Sequence, residues 1–400
     1  MFCLLLSVVA LGAARAETPT SAKASESRPN IIFILADDLG FRELGCYGQE
    51  KIKTPRIDQL AGEGMLFTRA YSGNAVCAPS RCVLMTGKHP GHAIVRNNKG
   101  MKPEGQHPIS SDHINDEALE FIKKNKDRSF FLYYPSLIPH VALHVPDEDL
   151  KPYLEQNWND PPFTREGGYG YTPHFTPRAA YAAMITKLDT YVGKVLDLID
   201  ELGLTDNTIV IFSSDNGTTH LKDEVDYDFF ASVGELRGLK GELWEGGIRV
   251  PQIVKWPGKI EAGSVTDHVT GFEDWLPTLL DLVSAETEAP DDADGVSIAS
   301  TLLGDGQEER NFLYREFQGY GGQQSVWLGN KWKGIRTDIL KKGNESPLKI
   351  ELFDLESDPS ESKDVAAANP EVVSEIKSLM STQRTVSEVF SMGPLDEATN

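Results

Sequence analysis

Three short apolar runs, each ending in polar residues, constrain this chain more than any other feature. Asn30-Ile-Ile-Phe-Ile-Leu-Ala36 runs into Asp37-Asp38. Phe130-Phe-Leu-Tyr-Tyr134 leads to Pro139-His140. Thr208-Ile-Val-Ile-Phe212 leads to Ser213-Ser-Asp-Asn-Gly217. A run without polar alternation fits a strand covered on both faces, as in a parallel sheet. Helical patterns separate the runs. Glu117 to Asn125 is amphipathic. Ala179 to Leu202 places Met184, Leu188, Tyr191, Val195, Leu198 and Leu202 on one stripe and stops at Gly203. Thr54-Pro55 opens a shorter helix with a capping residue and a first-turn proline. The expected fold is α/β, with a mostly parallel central sheet flanked by helices.

In such sheets ligands sit beyond the carboxyl ends of the strands. Parallel strands would therefore bring Asp37, Asp38, His140, Asp215 and Asn216 to one edge. Two Asp beside an Asp-Asn pair make a hard-oxygen cluster of the kind Ca²⁺ or Mg²⁺ prefers. Asp and Asn also serve as caps and turn residues, so the pattern alone leaves both readings open.

Composition narrows the class. The 400 residues carry 39 Lys and Arg against 60 Asp and Glu, a net charge of −21. That balance argues against a nucleic-acid or anionic-membrane surface. A basic pocket for an anionic substrate remains compatible with it. Four Cys exclude a disulfide scaffold. Phe2 to Ala13, followed by Ala14-Arg-Ala16, reads as a signal peptide over residues 1–16, with a polar linker over 17–28. The expected location is exported, periplasmic or secreted. No later apolar run is long enough to span a bilayer.

Cys77-Ala-Pro-Ser-Arg81, followed by Thr86-Gly87, resembles the signature of the formylglycine-dependent sulfatases, within the alkaline-phosphatase-like superfamily. Asn30 to Gly40, Ser213 to Gly217, Leu236 to Pro251 and Glu351 to Glu361 resemble other segments of that family, in family order. The resemblance implies hydrolysis of aryl or carbohydrate sulfate monoesters. It implies oxidation of Cys77 to an aldehyde by a formylglycine-generating enzyme. One hydroxyl of the hydrated aldehyde attacks sulfur and the other later expels sulfate. Position by position, Asp37, Asp38, Asp215, Asn216 and residue 77 would hold a cation, usually Ca²⁺, with Mg²⁺ also compatible with the ligand types. Arg81 would hold the diol, and His140 and Lys240 would contact the sulfate or the leaving oxygen. His144, His220 and Lys88 are candidates for lining the substrate site. Partners would be a sulfated small molecule or polysaccharide.

The chain departs from the family at one place. Members carry an extra helix and strand before the His140 strand, the strand ending in a Gly-Lys-Trp-His-Leu-Gly-type motif. Its Lys and His contact sulfate and nucleophile. Between Thr86 and Phe130 no apolar run matches that strand, and Lys99, Lys102, His107 and His113 do not match the motif. The pattern is that of an internal deletion near Ile109 to Asp112. Each lost charge-assisted contact to a transition state is worth about 2 to 4 kcal/mol. An impaired or inactive relative is therefore a second reading. A phosphohydrolase of the same superfamily is a third, against which Cys77 in its signature speaks.

The sulfatase-like α/β domain is expected over 29–300. A C-terminal subdomain is expected over 301–400, with antiparallel strands near 312–317, 325–328, 332–336 and 350–354 and a closing helix from Pro370. Trp244, Trp256 and Trp275 should be packed. Cys46 and Cys82 are either a disulfide or two buried thiols.

Overall fold

The computed structural model describes residues 28–98, 110–164, 171–222, 224–306 and 310–399. The expected signal peptide and nearly all of the linker lie outside the described residues. In chain order, the first half comprises β1 (Asn30–Ala36), α1 (Pro55–Gly62), β2 (Met65–Phe67), β3 (Ala70–Tyr71), α2 (Cys77–Thr86), α3 (Ser111–Asn125), β4 (Phe131–Pro135), α4 (Asp147–Leu154) and α5 (Pro177–Glu201). Then come β5 (Thr208–Ser214), α6 (Tyr227–Phe230), α7 (Glu245–Ile248), β6 (Gln252–Lys255), β7 (Ser264–Thr266), β8 (Thr270–Gly271), α8 (Trp275–Leu282) and α9 (Ala299–Leu303). The C-terminal part adds β9 (Phe312–Phe317), β10 (Gln323–Leu328), β11 (Trp332–Arg336), β12 (Glu351–Asp354) and α10 (Pro370–Thr382).

All seven residues of β1 and of β5 are buried. This is what unbroken apolar runs require when both faces of a sheet are covered. The main sheet has the order β4-β1-β5-β6-β2-β7. β1 lies parallel to β4 and β5, with Ile31 opposite Phe131 and Ile209. β6 is antiparallel to both β5 and β2. The sheet is thus mixed and mostly parallel. One face packs on α5, whose stripe of Met184, Leu188, Tyr191, Val195 and Leu198 is buried with Ile32, Ile34 and Phe212. The other face packs on α2 and α8 through Val83, Leu84, Trp275 and Leu282 against Phe33 and Ile211. β9 to β12 form a separate four-stranded antiparallel sheet, against which Ile376 and Met380 of α10 pack.

Several boundaries differ from the sequence pattern. α3 begins six residues before Glu117, because Ser110 accepts a hydrogen bond from the His113 amide and caps the helix earlier. Thr54 precedes α1 as expected, but its hydroxyl makes no capping bond; it accepts instead from the Gly45 amide and bonds to Asp58. Trp244, Trp256 and Trp275 are buried. Cys46 and Cys82 are free thiols, but each is half-buried rather than fully buried as the alternative to a disulfide had it. Among the described residues no strand lies between α2 and α3. β1 is nonetheless hydrogen-bonded on both sides, so the centre of the sheet is closed. β4 is its outer strand, with Phe131 about half exposed. No described helix is long and apolar enough to cross a membrane.

Candidate active site

The strand ends converge as parallel pairing demands. Asp37 and Asp38 follow β1, and Asp215 and Asn216 follow β5 beside it. The register Ala36↔Ser214 sets the two pairs level. Asp38 adopts a left-handed backbone with φ 66°, a conformation Asp tolerates better than most residues. Its amide donates to Asp215 Oδ1 at 3.2 Å, and the Leu39 amide donates to Ser214 Oγ at 2.9 Å. These bonds tie the two strand ends together. Beneath them Glu43, fully buried, accepts from the Gly40 amide and from the hydroxyls of Tyr181 and Thr218. The sequence offered only a faint sign of this support, a Glu three residues after a glycine.

Cys77 is the first residue of α2 and points at the strand ends. Its sulfur lies 3.5 Å from Asp37 Oδ1, 4.0 Å from Asp38 Oδ1 and 3.4 Å from Lys240 Nζ. The N-terminus of a helix favours negative charge at this position. The Ala78 amide is already taken by Asn98 Oδ1. One turn on, Arg81 donates to Asp215 Oδ2 at 2.7 and 2.9 Å and to Asp37 Oδ2 at 2.8 Å. Lys240 donates to Asp38 Oδ1 at 2.5 Å. His140 Nε2 approaches Asp38 Oδ2 at 3.6 Å, too long for a hydrogen bond.

Three carboxylates against two cations leave the cluster short of positive charge. Burial, then the charges of Asp215 and Asp38, push the Asp37 carboxyl well up. Burial also raises Asp215, with Arg81 opposing it. Burial disfavours the Lys240 ammonium, but Asp38 and its neighbours outweigh that and hold its pKa above the ordinary lysine value. Burial and the nearby Asp215 and Asp37 charges push the Cys77 thiol far up. Cys77 is thus not poised as a thiolate nucleophile.

The donor set fits a hard divalent cation. Asp38 Oδ2 and Asn216 Oδ1 are buried and make no hydrogen bond. Asn216 spends its amide group on Asp38 Oδ1 and Gly217 O, which leaves its oxygen free. Unpaired buried oxygens are rare and costly unless an ion or water takes them. Ligand atoms of Asp37, Asp38, Cys77 and His140 lie within 4.8 Å of one another.

Two cavities open beside the strand-end cluster, and His140 lines both. One, of about 710 Å³, is lined by Cys77, His140, His144, Lys187 and Tyr191 together with the start of α3. The other, of about 840 Å³, is lined by Asp38, His140, Lys240, His220, Tyr171 and Tyr320. His144 and His220 thus line different cavities, each of which also takes His140 as a wall. Lys88 is not: at the far end of α2 it pairs with Asp292. Tyr171 and Tyr320 had no sequence signal, because each reaches the cavity from a loop whose course is set by tertiary packing.

The sulfatase family model matches residues 29–110 and 95–285. The chain belongs to the sulfatase family. A second model, described as the C-terminal part of N-sulphoglucosamine sulphohydrolase, matches residues 239–386. An ulvan-active sulfatase of Formosa agariphila is 29% identical over 338 residues, covering 73% of this chain and 61% of its own length. The chain therefore spans about three-fifths of that relative. An N-acetylgalactosamine-6-O-sulfatase of Bacteroides thetaiotaomicron is 25% identical over 489 aligned positions, covering 90% of this chain and 94% of its own. An alignment that long over nine-tenths of a 400-residue chain requires long insertions in the relative. The crystal structure of Ps i-CgsB with k-i-k-neocarrahexaose superposes with a TM-score of 0.72 at 23% identity, covering 88% of this chain and 91% of that one. At that identity the likeness is one of fold. The two parts of the family match overlap at residues 95–110.

Proposed function

We propose that this protein is a calcium-dependent sulfatase acting on a sulfated sugar or polysaccharide, with Cys77 converted to formylglycine. The observation that carries the reading is Cys77 at the start of α2, within 4.0 Å of Asp37, Asp38 and Lys240, beside two buried oxygens that make no hydrogen bond. The substrate class follows the relatives, whose names refer to ulvan and N-acetylgalactosamine sulfates.

Bound at Asp37, Asp38, Asp215 and Asn216, the cation would supply charge neutralisation and polarise a sulfate oxygen. The hydrated aldehyde would supply the attacking hydroxyl. The remaining work falls to this chain's side chains. Arg81, held on two carboxylates, fixes the orientation of α2 and of residue 77. Lys240 is positioned to meet the negative charge of the transferring group. His140, in the wall of both cavities, is placed to give a proton to the leaving oxygen. His220 and Tyr320 in one cavity, and His144 in the other, would contact the sugar.

The test is the mass of the tryptic peptide Ala70 to Arg81 from a host with the activating enzyme. Sulfur replaced by oxygen with loss of two hydrogens is the expected result; an unmodified thiol overturns the reading. A second reading rests on the absence of any described strand between α2 and α3: a modified, calcium-binding chain with little turnover. Hydrolysis of nitrophenyl sulfate on the modified protein separates the two. Faster cleavage of nitrophenyl phosphate would favour a phosphohydrolase.

A further inference from the structure

At the opposite end of α2 lies a second cluster. The helix closes at Gly87, with φ 67°, and the chain turns through His89 and His92 beneath the segment carrying Asp294. At about 1.5 Å per residue, the ten residues of α2 put this cluster roughly 15 Å from Cys77. It shares no residue with the strand-end site.

His92 Nδ1 lies 2.8 Å from Asp294 Oδ1, and His89 Nε2 lies 3.6 Å from the same oxygen. The two imidazoles stack, with ring centroids 4.5 Å apart and 26° between planes. The other carboxylate oxygen, Asp294 Oδ2, accepts from the His89 amide at 3.0 Å. That bond fixes the carboxylate with Oδ1 facing the rings. The His92–Asp294 contact alone is an ordinary hydrogen bond. His89 is different: it is 2% exposed, and neither of its ring nitrogens has a hydrogen-bond partner. A buried imidazole with no partner for either nitrogen is unfavourable, because its desolvation is uncompensated. A group that accepts a nitrogen lone pair removes that cost.

We propose that His89, His92 and Asp294 bind one zinc-type divalent ion. Ligand atoms of the three lie within 4.8 Å of one another. A tetrahedral ion with bonds of about 2.0–2.1 Å would hold them roughly 3.3 Å apart, close to the separations present. Two imidazoles and one carboxylate suit zinc, whereas calcium takes oxygens. His92 is partly exposed and leaves a route to solvent. The ion serves structure. His89 lies 4.9 Å from the Tyr314 ring of β9, and the Gly87 carbonyl receives the Asp294 and Gly295 amides. The cluster thus pins the end of the signature helix to the segment before the C-terminal sheet.

The test uses the full chain carrying Cys77→Ser, to remove the sulfur at the other site, in excess calcium. Equilibrium dialysis against Zn²⁺ with metal analysis should give one zinc bound through this cluster. His92→Ala and His89→Gln should each weaken that binding at least tenfold. Zinc should raise the unfolding midpoint of the Cys77→Ser chain and not that of the His92→Ala double variant. His92 is only partly buried, so His92→Ala keeps the test decisive if His89→Gln does not fold. No bound zinc, or zinc binding that His92→Ala leaves unchanged, overturns the proposal; in that case a buried water satisfies His89.

Discussion

At the scale of single residues, Lys240 carries two opposed duties. It neutralises Asp38 at 2.5 Å and stands 3.4 Å from Cys77. On the proposed function, its replacement by Met would remove a cation that competes with the metal, and charge facing the sulfate. Calcium affinity should therefore rise while kcat/KM falls about 10²- to 10³-fold. Calorimetric titration together with nitrophenyl sulfate kinetics reads both; a fall in calcium affinity would contradict this assignment. Glu43 makes a different prediction. Burial raises its pKa from 4.5 to about 7, so between those values the folded state holds a proton that the unfolded state has lost. Its contribution to stability is thus largest at low pH and declines as pH rises through about 7. Glu43→Gln should flatten that decline, and the difference between the two chains from pH 5 to 7.5 should be on the order of 1–3 kcal/mol. Denaturant unfolding at each pH measures it, and parallel curves for the two chains would show that Glu43 does not titrate here.

At the scale of elements, the legible parts were those whose cause is local. β1 and β5 are written as continuous apolar runs because both of their faces are covered, and the stripe of α5 because one face is. Their polar ends could be placed together from parallel pairing alone, which is why Asp37, Asp38, Asp215 and Asn216 were readable before any coordinates. The sequence did not reveal β6. It runs antiparallel between β5 and β2, and four residues carry no mark of direction. Nor could it show that Lys88, close in sequence to the signature, turns away at the far end of α2. Gly217 shows how a neighbouring element fixes the site. A Cβ there would lie 2.2 Å from the Gly246 carbonyl oxygen, and its amide already bonds to Gly247 O at 2.9 Å. Gly217→Ala must push the β5 end away from α7 and carry Asn216 with it. We expect at least a tenfold loss of calcium affinity with the far-ultraviolet circular dichroism retained. Unchanged calcium binding would mean that Asn216 is not a ligand or that α7 yields.

At the scale of the whole molecule, buried charges tie the C-terminal sheet to non-strand segments of the larger α/β part. Arg315 of β9 pairs with Glu273 at 2.9 and 3.0 Å, both fully buried. Lys333 of β11 sits 3.1 Å from Glu245 of α7 and 2.7 Å from Glu361. Glu245 also accepts from Tyr71 and from Trp327. α7 follows the Lys240 segment and its Gly247 carbonyl accepts from the Gly217 amide, so the C-terminal sheet is mechanically close to the candidate metal site. Lys333→Met would leave two buried carboxylates with no shared cation. Breaking a buried pair in this way costs about 3–5 kcal/mol. Adding Glu361→Gln should recover part of that loss, since Glu361, raised to about 7 by burial, then needs no charge compensation. If the sheets unfold as one body, urea transitions followed by tryptophan fluorescence and by loss of calcium binding should coincide in the parent and shift together in the Lys333→Met chain. Two separated transitions, with calcium binding surviving the first, would show that the C-terminal sheet is an independent unit and that these ion pairs do not reach the site.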